Sequence, residues 1–360
     1  MRLVLNLCEW QLVRMISAVA LSLGAVLFFV VTVGLVLLPA DVERLRQPLY
    51  LSVIECRVQP QSERTLSLLW YMPRLDTKGW VHQLAWHDLR GERPQVEFAW
   101  PALEPTCTGR GAAPGELFVG CWDGTLWRVD LSQPKELPRR LPARLEMAPH
   151  VLSCSADGRW LAALGPQTLE VIDLSTGQTA WMIGGGQVRT VAMHPREPRL
   201  VVARHTGEYA ELEAATGANV RILASFEEPG IQLAFSPTGD RLAIVASGGR
   251  HHLLDWSTGR SAWPDGWIGP YSRSSIVQFS PSGDRLITGA ESVDSLAVWN
   301  LRTMRMEREL HGHEKAINGV SFLDERSLCS FGADGTIRIW NLDSDAPPRV
   351  LTIDVTAQAS

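Results

Sequence analysis

Histidine side chains are the residues of this sequence most able to bind a metal ion. His251 and His252 begin a short apolar run, and His205 lies upstream of them. The run predicts a strand, and successive residues of a strand point to opposite faces. The pair therefore does not offer two ligands to one ion. We predict that these histidines are ordinary surface or core residues and that the chain has no metal site.

The sequence carries no signature of a familiar catalytic site. It has no Gly-x-Ser-x-Gly turn, no phosphate-binding loop, no His-Glu-x-x-His motif and no dinucleotide fingerprint. Its formal net charge is −5, and no run of lysine and arginine forms a basic patch, which argues against a nucleic-acid partner. We expect a protein that is not an enzyme, uses no cofactor and binds no nucleic acid.

A repeat of 40 to 45 residues is the element that must position any functional side chain. The residue that follows each predicted third strand recurs seven times at this spacing, at Asp88, Asp130, Asp173, Glu213, Asp255, Asn300 and Asn341. A second series marks the end of each first strand with turn chemistry, at Cys154, Met193, Phe235, Phe279 and Phe322. The two series agree in phase, and such a period is typical of stacked or circular repeat folds.

The stretch from His311 to Leu342 shows the unit most clearly. It holds three short runs rich in β-branched and aromatic residues, and Asp334-Gly335 lies at the hairpin turn between the last two. Gly312-His313 stands where WD repeats have Gly-His, and Trp340-Asn341 where they have Trp-Asp. The stretch resembles a repeat of the WD-repeat β-propeller family. The other units diverge, since only Trp299 also keeps the tryptophan.

The resemblance implies an all-β fold, a seven-bladed β-propeller of four-stranded antiparallel blades over residues 49–356, followed by a tail at 357–360. It also implies a structural hydrogen-bonded tetrad of His313, Ser330, Asp334 and Trp340. A buried indole N–H needs an acceptor and a buried carboxylate needs donors, so the tetrad suits a core position and names no function.

In a propeller the loops before the first strands converge on a central funnel. By register, these positions hold a mixed, mostly cationic set of side chains, the candidate partner-binding rim, at His150, Arg189, Glu228, Arg273 and Lys315. Such a rim could receive an acidic peptide or a carboxylate. The alternative is that these are solvated surface charges.

Three aromatic residues fall in the longest connection, residues 257–274. Trp263, Trp267 and Tyr271 would suit a protein or ligand contact if they are exposed. The alternative is that they cover a hydrophobic layer between two blades.

The N-terminal region predicts a membrane anchor. A short segment, residues 1–14, precedes the uncharged apolar residues 15–38, which as a helix would span about 36 Å, enough to cross a bilayer. A linker follows at 39–48. A cleaved signal peptide is the alternative, but its apolar region is usually shorter. We predict a single-pass transmembrane helix in contact with the lipid bilayer, with the propeller outside the cytoplasm.

The six cysteines do not indicate the compartment. One disulfide among Cys56, Cys107 and Cys121 stays open as an alternative, and Cys154 and Cys329 lie in predicted strands, where a thiol is usually a small buried hydrophobic group.

The resemblance implies a scaffold, since WD-repeat proteins mostly organise protein assemblies. We therefore predict a membrane-anchored, non-enzymatic platform for protein partners. Two alternatives are a propeller enzyme, either a hydrolase or a quinoprotein-like dehydrogenase, and a sensor that binds a small ligand in the funnel.

Overall fold

The structure is a computed structural model of the 360-residue chain. It describes residues 52–58, 65–73, 80–88, 95–100, 105–113, 115–133, 136–246, 250–263, 274–290, 295–332 and 334–352. The chain divides into two units, Met1–Leu49 and Tyr50–Ser360, and all described residues belong to the second. The predicted segments 1–14, 15–38, 39–48 and 357–360 lie outside the described residues, so these boundaries stay predictions.

The described residues form antiparallel strands and no helix. Three four-stranded sheets come first. Their strands are β1 (Ser52–Val58), β2 (Thr65–Pro73), β3 (Trp80–Asp88) and β4 (Gln95–Trp100), then β5 (Pro105–Arg110), β6 (Glu116–Cys121), β7 (Thr125–Asp130) and β8 (Arg139–Arg144), then β9 (Val151–Cys154), β10 (Trp160–Leu164), β11 (Leu169–Asp173) and β12 (Gln178–Ile183).

Four more sheets follow in chain order. Their strands are β13 (Val188–Met193), β14 (Arg199–Arg204), β15 (Glu208–Glu213) and β16 (Asn219–Ser225), then β17 (Gly230–Phe235), β18 (Arg241–Ala246) and β19 (His251–Asp255), then β20 (Ser274–Phe279), β21 (Arg285–Ala290), β22 (Ser295–Asn300) and β23 (Arg305–His311), then β24 (Ile317–Phe322), β25 (Ser327–Gly332), β26 (Thr336–Asn341) and β27 (Arg349–Thr352). Each sheet takes its strands consecutively from the chain. We call each four-stranded sheet a blade.

The prediction of seven four-stranded blades behind a transmembrane helix is wrong. The structure has six four-stranded blades, and the β17–β19 sheet has only three strands in the described residues. After β19 the chain makes one isolated bridge, between Leu254 and Ser261, and Trp263 then turns into the core beside Trp299, with ring centroids 5.5 Å apart. The described chain after this bridge therefore places Trp263 in the core between this sheet and the next, where a large aromatic side chain buries much apolar surface.

No helix in the described part of the chain is long and apolar enough to cross a membrane. This finding contradicts the predicted single-pass membrane localisation with the propeller outside the cytoplasm, and nothing in the described residues supports the bilayer as a partner. The prediction came from residues 15–38, which lie outside the described residues. An apolar run sets only the distance that a helix would span if the run formed one.

The hydrophobic core lies between neighbouring sheets. One cluster joins the β9–β12 and β13–β16 blades, for example through Val171 and Leu200, and others join each later pair of sheets. Strand β10 is buried along all five residues, whereas the outer strand β12 is mostly exposed. Inner strands are therefore covered on both faces, which explains their near-continuous apolar sequences.

The first strands of the sheets stand side by side around a central channel. Strands β5, β9, β13, β17, β20 and β24 contact one another in that order, and β1 contacts both β5 and β24. The described ring therefore closes by packing of β1 against β24, with no strand shared between the first and last sheets.

A β-bulge recurs at the start of the first strand. In β5, β13, β17, β20 and β24 the register shifts between the first and third residues. A bulge re-aims one side chain. The residues inserted in this way are Thr106, Arg189, Ile231, Ser275 and Asn318.

Candidate functional site

The residues of the predicted tetrad form one continuous hydrogen-bonded chain in the β24–β27 blade. The Trp340 indole N–H donates to Ser330 Oγ at 2.8 Å, Ser330 Oγ lies 2.8 Å from His313 Nε2, and His313 Nδ1 lies 2.9 Å from Asp334 Oδ2. His313, Ser330 and Trp340 are buried. Because Ser330 accepts from the indole, its own proton is available to Nε2, which leaves Nδ1–H to donate to the carboxylate. The chain connects the loop before β24 to β25 and β26.

Asp334 is held as a carboxylate. Burial alone would raise its pKa, but hydrogen bonds from the Thr336 hydroxyl, from the backbone amides of Glu314 and Thr336 and from His313 outweigh burial, so the pKa lies below the ordinary value of 3.8. The Thr336 hydroxyl and amide donate to Oδ1 at 2.7 and 2.9 Å, and the Glu314 amide to Oδ2 at 3.0 Å.

Sequence reasoning missed two residues of this network. Thr336 caps the carboxylate, and Gly332 leaves room for it, because a Cβ at Gly332 would collide with His313 Nδ1 and Asp334 Oδ1. The signal was present as Asp334-Gly335-Thr336. The same three residue types recur as Asp123-Gly124-Thr125, where the Thr125 hydroxyl donates to Asp123 Oδ1 at 2.7 Å.

The candidate rim is only partly assembled. His150 precedes β9 and lines the channel mouth. Although its ring keeps contact with solvent, desolvation lowers the pKa of His150, and a hydrogen bond with the Arg189 backbone opposes that shift. The bond joins two neighbouring blades. Lys315 is exposed in the connection before β24, and Arg273 lies outside the described residues.

The charges of Arg189 and Glu228 both act on a buried tyrosine, Tyr209. Burial raises the pKa of Tyr209; Arg189 acts to lower it and Glu228 to raise it. Glu228 is half-buried, and its Oε2 finds no hydrogen-bond partner among the described residues. Glu228 is thus less exposed than His150 and Lys315, which lie on the solvent side of the rim.

The aromatic residues of the long connection do not all reach the solvent. Trp263 is 7% exposed and belongs to the core cluster between the β17–β19 sheet and the β20–β23 blade. It covers a hydrophobic layer and does not form an exposed contact. Trp267 and Tyr271 lie outside the described residues.

The three histidines considered as metal ligands do not converge. His205 is exposed, His252 stacks on Phe226 at 3.8 Å, and His251 is buried. Burial lowers the pKa of His251 to about 4, so the ring is neutral at physiological pH. Among the described residues, no three His, Cys, Asp or Glu side chains are grouped to hold a metal ion.

The central channel has a volume of about 570 Å³. Its lining is dominated by apolar and uncharged polar side chains from the first strands; the polar ones include Thr106, Ser153, Thr190, Gln232, Gln278, Asn318 and Ser321. Two of them bind the backbone of the next sheet, because the Met193 amide donates to Ser153 Oγ and the Val277 amide to Gln232 Oε1, both at 2.9 Å.

Two exposed hydrophobic side chains lie in connections on the face of the ring where the first strands begin. Trp122, in the β6–β7 turn, is 56% exposed, and Met147, in the connection to β9, is 48% exposed. Hydrogen bonds join the two segments, from the Leu145 amide to the Gly124 carbonyl at 2.9 Å and from Arg144 Nε to the Asp123 carbonyl at 3.2 Å. We call Trp122, Met147 and the neighbouring His150 the mouth patch. Sequence reasoning missed the first two, because neither belongs to a periodic position.

Comparisons with known proteins found one matching family model and a solved structure with a similar fold. The family model "WD domain, G-beta repeat" matches residues 304–341, which cover β23 to β26 and the tetrad. The β-propeller domain of Cps50 (Swd1) from Myceliophteria thermophila superposes with a TM-score of 0.61 over 71% of this chain and 88% of that domain, at 16% identity. Residues 304–341 thus match a WD repeat, and the sheets share the fold of a β-propeller domain.

Curated relatives of this WD-repeat propeller match over short stretches. Topless-related protein 4 of Arabidopsis thaliana is 26% identical over 105 residues, which are 29% of this chain and 9% of that protein. Small ribosomal subunit protein RACK1y of Oryza sativa subsp. japonica is 35% identical over 80 residues, 21% of this chain and 22% of that protein. The chain thus spans less than a quarter of either relative, and the likeness extends to repeats and not to whole proteins.

Proposed function

We propose that this WD-repeat propeller is a non-enzymatic platform that binds a protein partner at the mouth patch. The observation that carries the proposal is the exposure of Trp122 and Met147 beside His150. Tryptophan and methionine are enriched at protein interfaces, and tryptophan in particular among the residues that dominate binding energy.

Charge points to the kind of partner. Two arginines contact the segments of the mouth patch, since Arg144 Nε donates to the Asp123 carbonyl and the Arg189 backbone hydrogen-bonds His150, whereas the negative Glu228 is half-buried. Asp123 stays a carboxylate, because hydrogen bonds from the Thr125 hydroxyl and amide and then the charge of Arg144 lower its pKa against the effect of burial, and Arg144 lies against it. An extended segment with acidic and apolar residues therefore fits the surface, with the apolar side chains on Trp122 and Met147 and the acidic groups toward the rim.

A peptide selection tests the proposal. The full chain is used to select from a library that contains random and acid-rich peptides, and dissociation constants of the selected peptides are measured for Trp122→Ala, Met147→Ala and the control Met306→Ala. Met306 lies on the outer strand β23 and is 46% exposed, close to the 48% of Met147. We expect Trp122→Ala to weaken binding about 30-fold, equivalent to about 2 kcal/mol, and Met306→Ala to leave it unchanged.

Two results would overturn this function. One is the absence of any selected peptide. The other is a set of peptides whose affinity is equal for the wild type and Trp122→Ala, or falls equally for Met306→Ala.

A small ligand in the channel is a second candidate, favoured by Ser321. Its hydroxyl is buried in the channel wall and has no hydrogen-bond partner among the described residues, and buried polar groups are usually satisfied. Screening uncharged, hydroxyl-rich small molecules against the wild type and Ser321→Ala separates the candidates, because a channel ligand would be lost in Ser321→Ala and kept in Trp122→Ala.

A further inference from the structure

A cleft of about 280 Å³ lies between the β5–β8 and β9–β12 blades. Arg128 and Leu141 line it from the first blade, and Arg159 and Leu174 line it from the second. Arg128 lies near the end of β7, whereas the mouth patch adjoins the start of that strand. We call this space the arginine cleft. The side chains of Arg128 and Arg159 are 56% and 58% exposed, so a partner can reach both guanidinium groups.

Three other pairs of neighbouring sheets have a side chain from the outer strand at the equivalent place. It belongs to the residue whose partner lies two positions before the end of the third strand, namely Trp181, Arg221 and Arg308. Each side chain donates to a backbone carbonyl that follows the third strand of the next sheet, Trp181 to Ala214 at 2.8 Å, Arg221 to Ser257 at 2.7 Å and Arg308 to Ser344 at 2.7 Å. These bonds connect the outer parts of adjacent sheets.

Arg139 is the equivalent residue of β8, because its partner is Arg128, but it makes no such bond. It is exposed and has neither a hydrogen bond nor an ion pair with any described residue. Two like charges directly opposite each other in a sheet are unfavourable, so Arg128 opposes an inward position of Arg139. Arg128 contacts Glu116 through Nε at 2.5 Å, which leaves its two terminal nitrogens for another acceptor.

The β13–β16 blade shows which group completes such a pair. Glu211 is the residue equivalent to Arg128, and it lies 2.6 Å from Arg221 Nε and 3.8 Å from Arg199 Nε. A carboxylate thus lies between two arginines in that blade. In the β5–β8 blade an arginine stands in place of the glutamate, so the outer arginine has no acid opposite to it.

The carboxylates near the arginine cleft already have donors of their own. The pairs are Glu116 with Arg128 Nε, Asp173 with Arg159 Nη2 at 3.6 Å, and Asp157 with the Arg159 amide at 3.0 Å. None of these three acids contacts Arg139. It is therefore the arginine beside the cleft whose charge no described carboxylate offsets by contact.

We propose that the arginine cleft binds an acidic side chain of a protein partner, whose carboxylate reaches between Arg128 and Arg139 and so takes the place that Glu211 has in the β13–β16 blade. Guanidinium groups bind carboxylates through paired, charge-assisted hydrogen bonds. Leu141 and Leu174 line the same cleft, and apolar side chains suit the methylene groups of a glutamate. The cleft and the mouth patch lie at opposite ends of β7, so this site does not depend on the proposed function.

Peptide binding tests this site separately from the mouth patch. Peptides are selected from a glutamate-rich library with the full-length Trp122→Ala variant, which lacks the tryptophan of the mouth patch, and their dissociation constants are then measured. Arg139→Gln should weaken binding about fivefold or more, equivalent to about 1 kcal/mol, because it removes one of the two guanidinium groups that hold the carboxylate. Replacing the glutamates of a selected peptide by glutamine should weaken binding at least as much.

Arg140→Gln is the matched control. Arg140 is the next residue of β8 and is also exposed, so the variant loses the same charge, but its side chain lies on the other face of the strand. Arg140→Gln should leave the dissociation constants unchanged. The absence of any selected peptide overturns the proposal. So does a set of peptides that Arg139→Gln binds as tightly as the wild type, or that Arg139→Gln and Arg140→Gln bind equally weakly.

A second measurement needs no partner. Arg139→Glu places a carboxylate opposite Arg128, as Glu211 is opposite Arg221 in the β13–β16 blade. The variant should therefore melt at a higher temperature than the wild type, and it should lose peptide binding because the cleft then holds a carboxylate of its own chain. An unchanged or lower melting temperature would show that the two arginines do not oppose each other, and it would overturn the proposal.

Discussion

The β24–β27 and β13–β16 blades build the same four-stranded sheet with different chemistry. Strand register makes Val202 the counterpart of Ser330 and Leu212 the counterpart of Trp340. The first blade buries an indole, a hydroxyl and an imidazole in one hydrogen-bonded chain, whereas the second fills the same places with aliphatic side chains that are fully buried. A buried polar group costs free energy unless it has a hydrogen-bond partner, whereas a buried apolar side chain only has to fit the space around it. The tetrad is therefore one solution to blade packing and not a requirement of it.

The β20–β23 blade lies between these two cases. Trp299 Nε1 donates to Thr288 Oγ1 at 2.9 Å, which repeats the Trp340–Ser330 bond. This pair shows that the indole and its acceptor can be kept as a unit. Polar partners are evidently gained or lost together, because losing one leaves the other buried without a partner.

Removing the Trp340 indole, which the apolar blade lacks, should cause the largest loss of stability. Trp340→Ala creates a cavity and takes away the donor to Ser330, so we expect a loss of about 3–5 kcal/mol in the free energy of unfolding. Urea denaturation of the full chain measures it. A loss under about 1 kcal/mol would contradict a packed, buried indole.

Exchanging a single polar group should have a smaller effect. Ser330→Ala leaves the Trp340 N–H and His313 without their shared partner, and we expect a loss of about 1–3 kcal/mol. The matched change in the apolar blade is Val202→Ser, which buries a hydroxyl beside Leu212 and should also destabilise. If Ser330→Ala were neutral while Val202→Ser was costly, the tetrad would not be contributing through its hydrogen bonds.

The smallest expected effect is on the pH dependence of stability, to which Asp334 of the β24–β27 blade contributes. Its pKa is lower in the folded protein than the ordinary value of 3.8, so its contribution to stability is present above that value and is lost as the pH falls through the folded pKa. We expect the stability of the wild type to decline more between pH 6 and pH 3 than that of Asp334→Asn. Unfolding free energies measured across this range test it, and parallel curves for the two proteins would exclude the effect.

The sequence predicts the strands well where packing dictates them. Strands recur at the spacing of the repeat because apolar inner strands must be covered on both sides, and the positions of His313 and Trp340 follow from one well-kept unit. The three strands described for the β17–β19 sheet could not be predicted, and nor could the burial of Trp263 beside Trp299, because that packing involves two neighbouring sheets.

The candidate site was less accessible from sequence. Register located Arg189 at the start of β13, but only the structure shows the bulge that re-aims it. The exposure of Trp122 and Met147 depends on how two connections lie against each other, and no local pattern of residues encodes that. The position of a side chain that is set within one repeat can be predicted from the sequence. A surface formed by connections from several repeats cannot.

Every sheet is drawn from one unbroken piece of the chain, with no strand lent to a neighbour. A duplication or deletion of a single contiguous stretch of the gene would therefore add or remove a whole sheet and leave the ladders of all the others intact. Mutations can then accumulate separately in each copy, which accounts for a molecule in which one copy has Trp340 and Ser330 while another has leucine and valine at the same two positions.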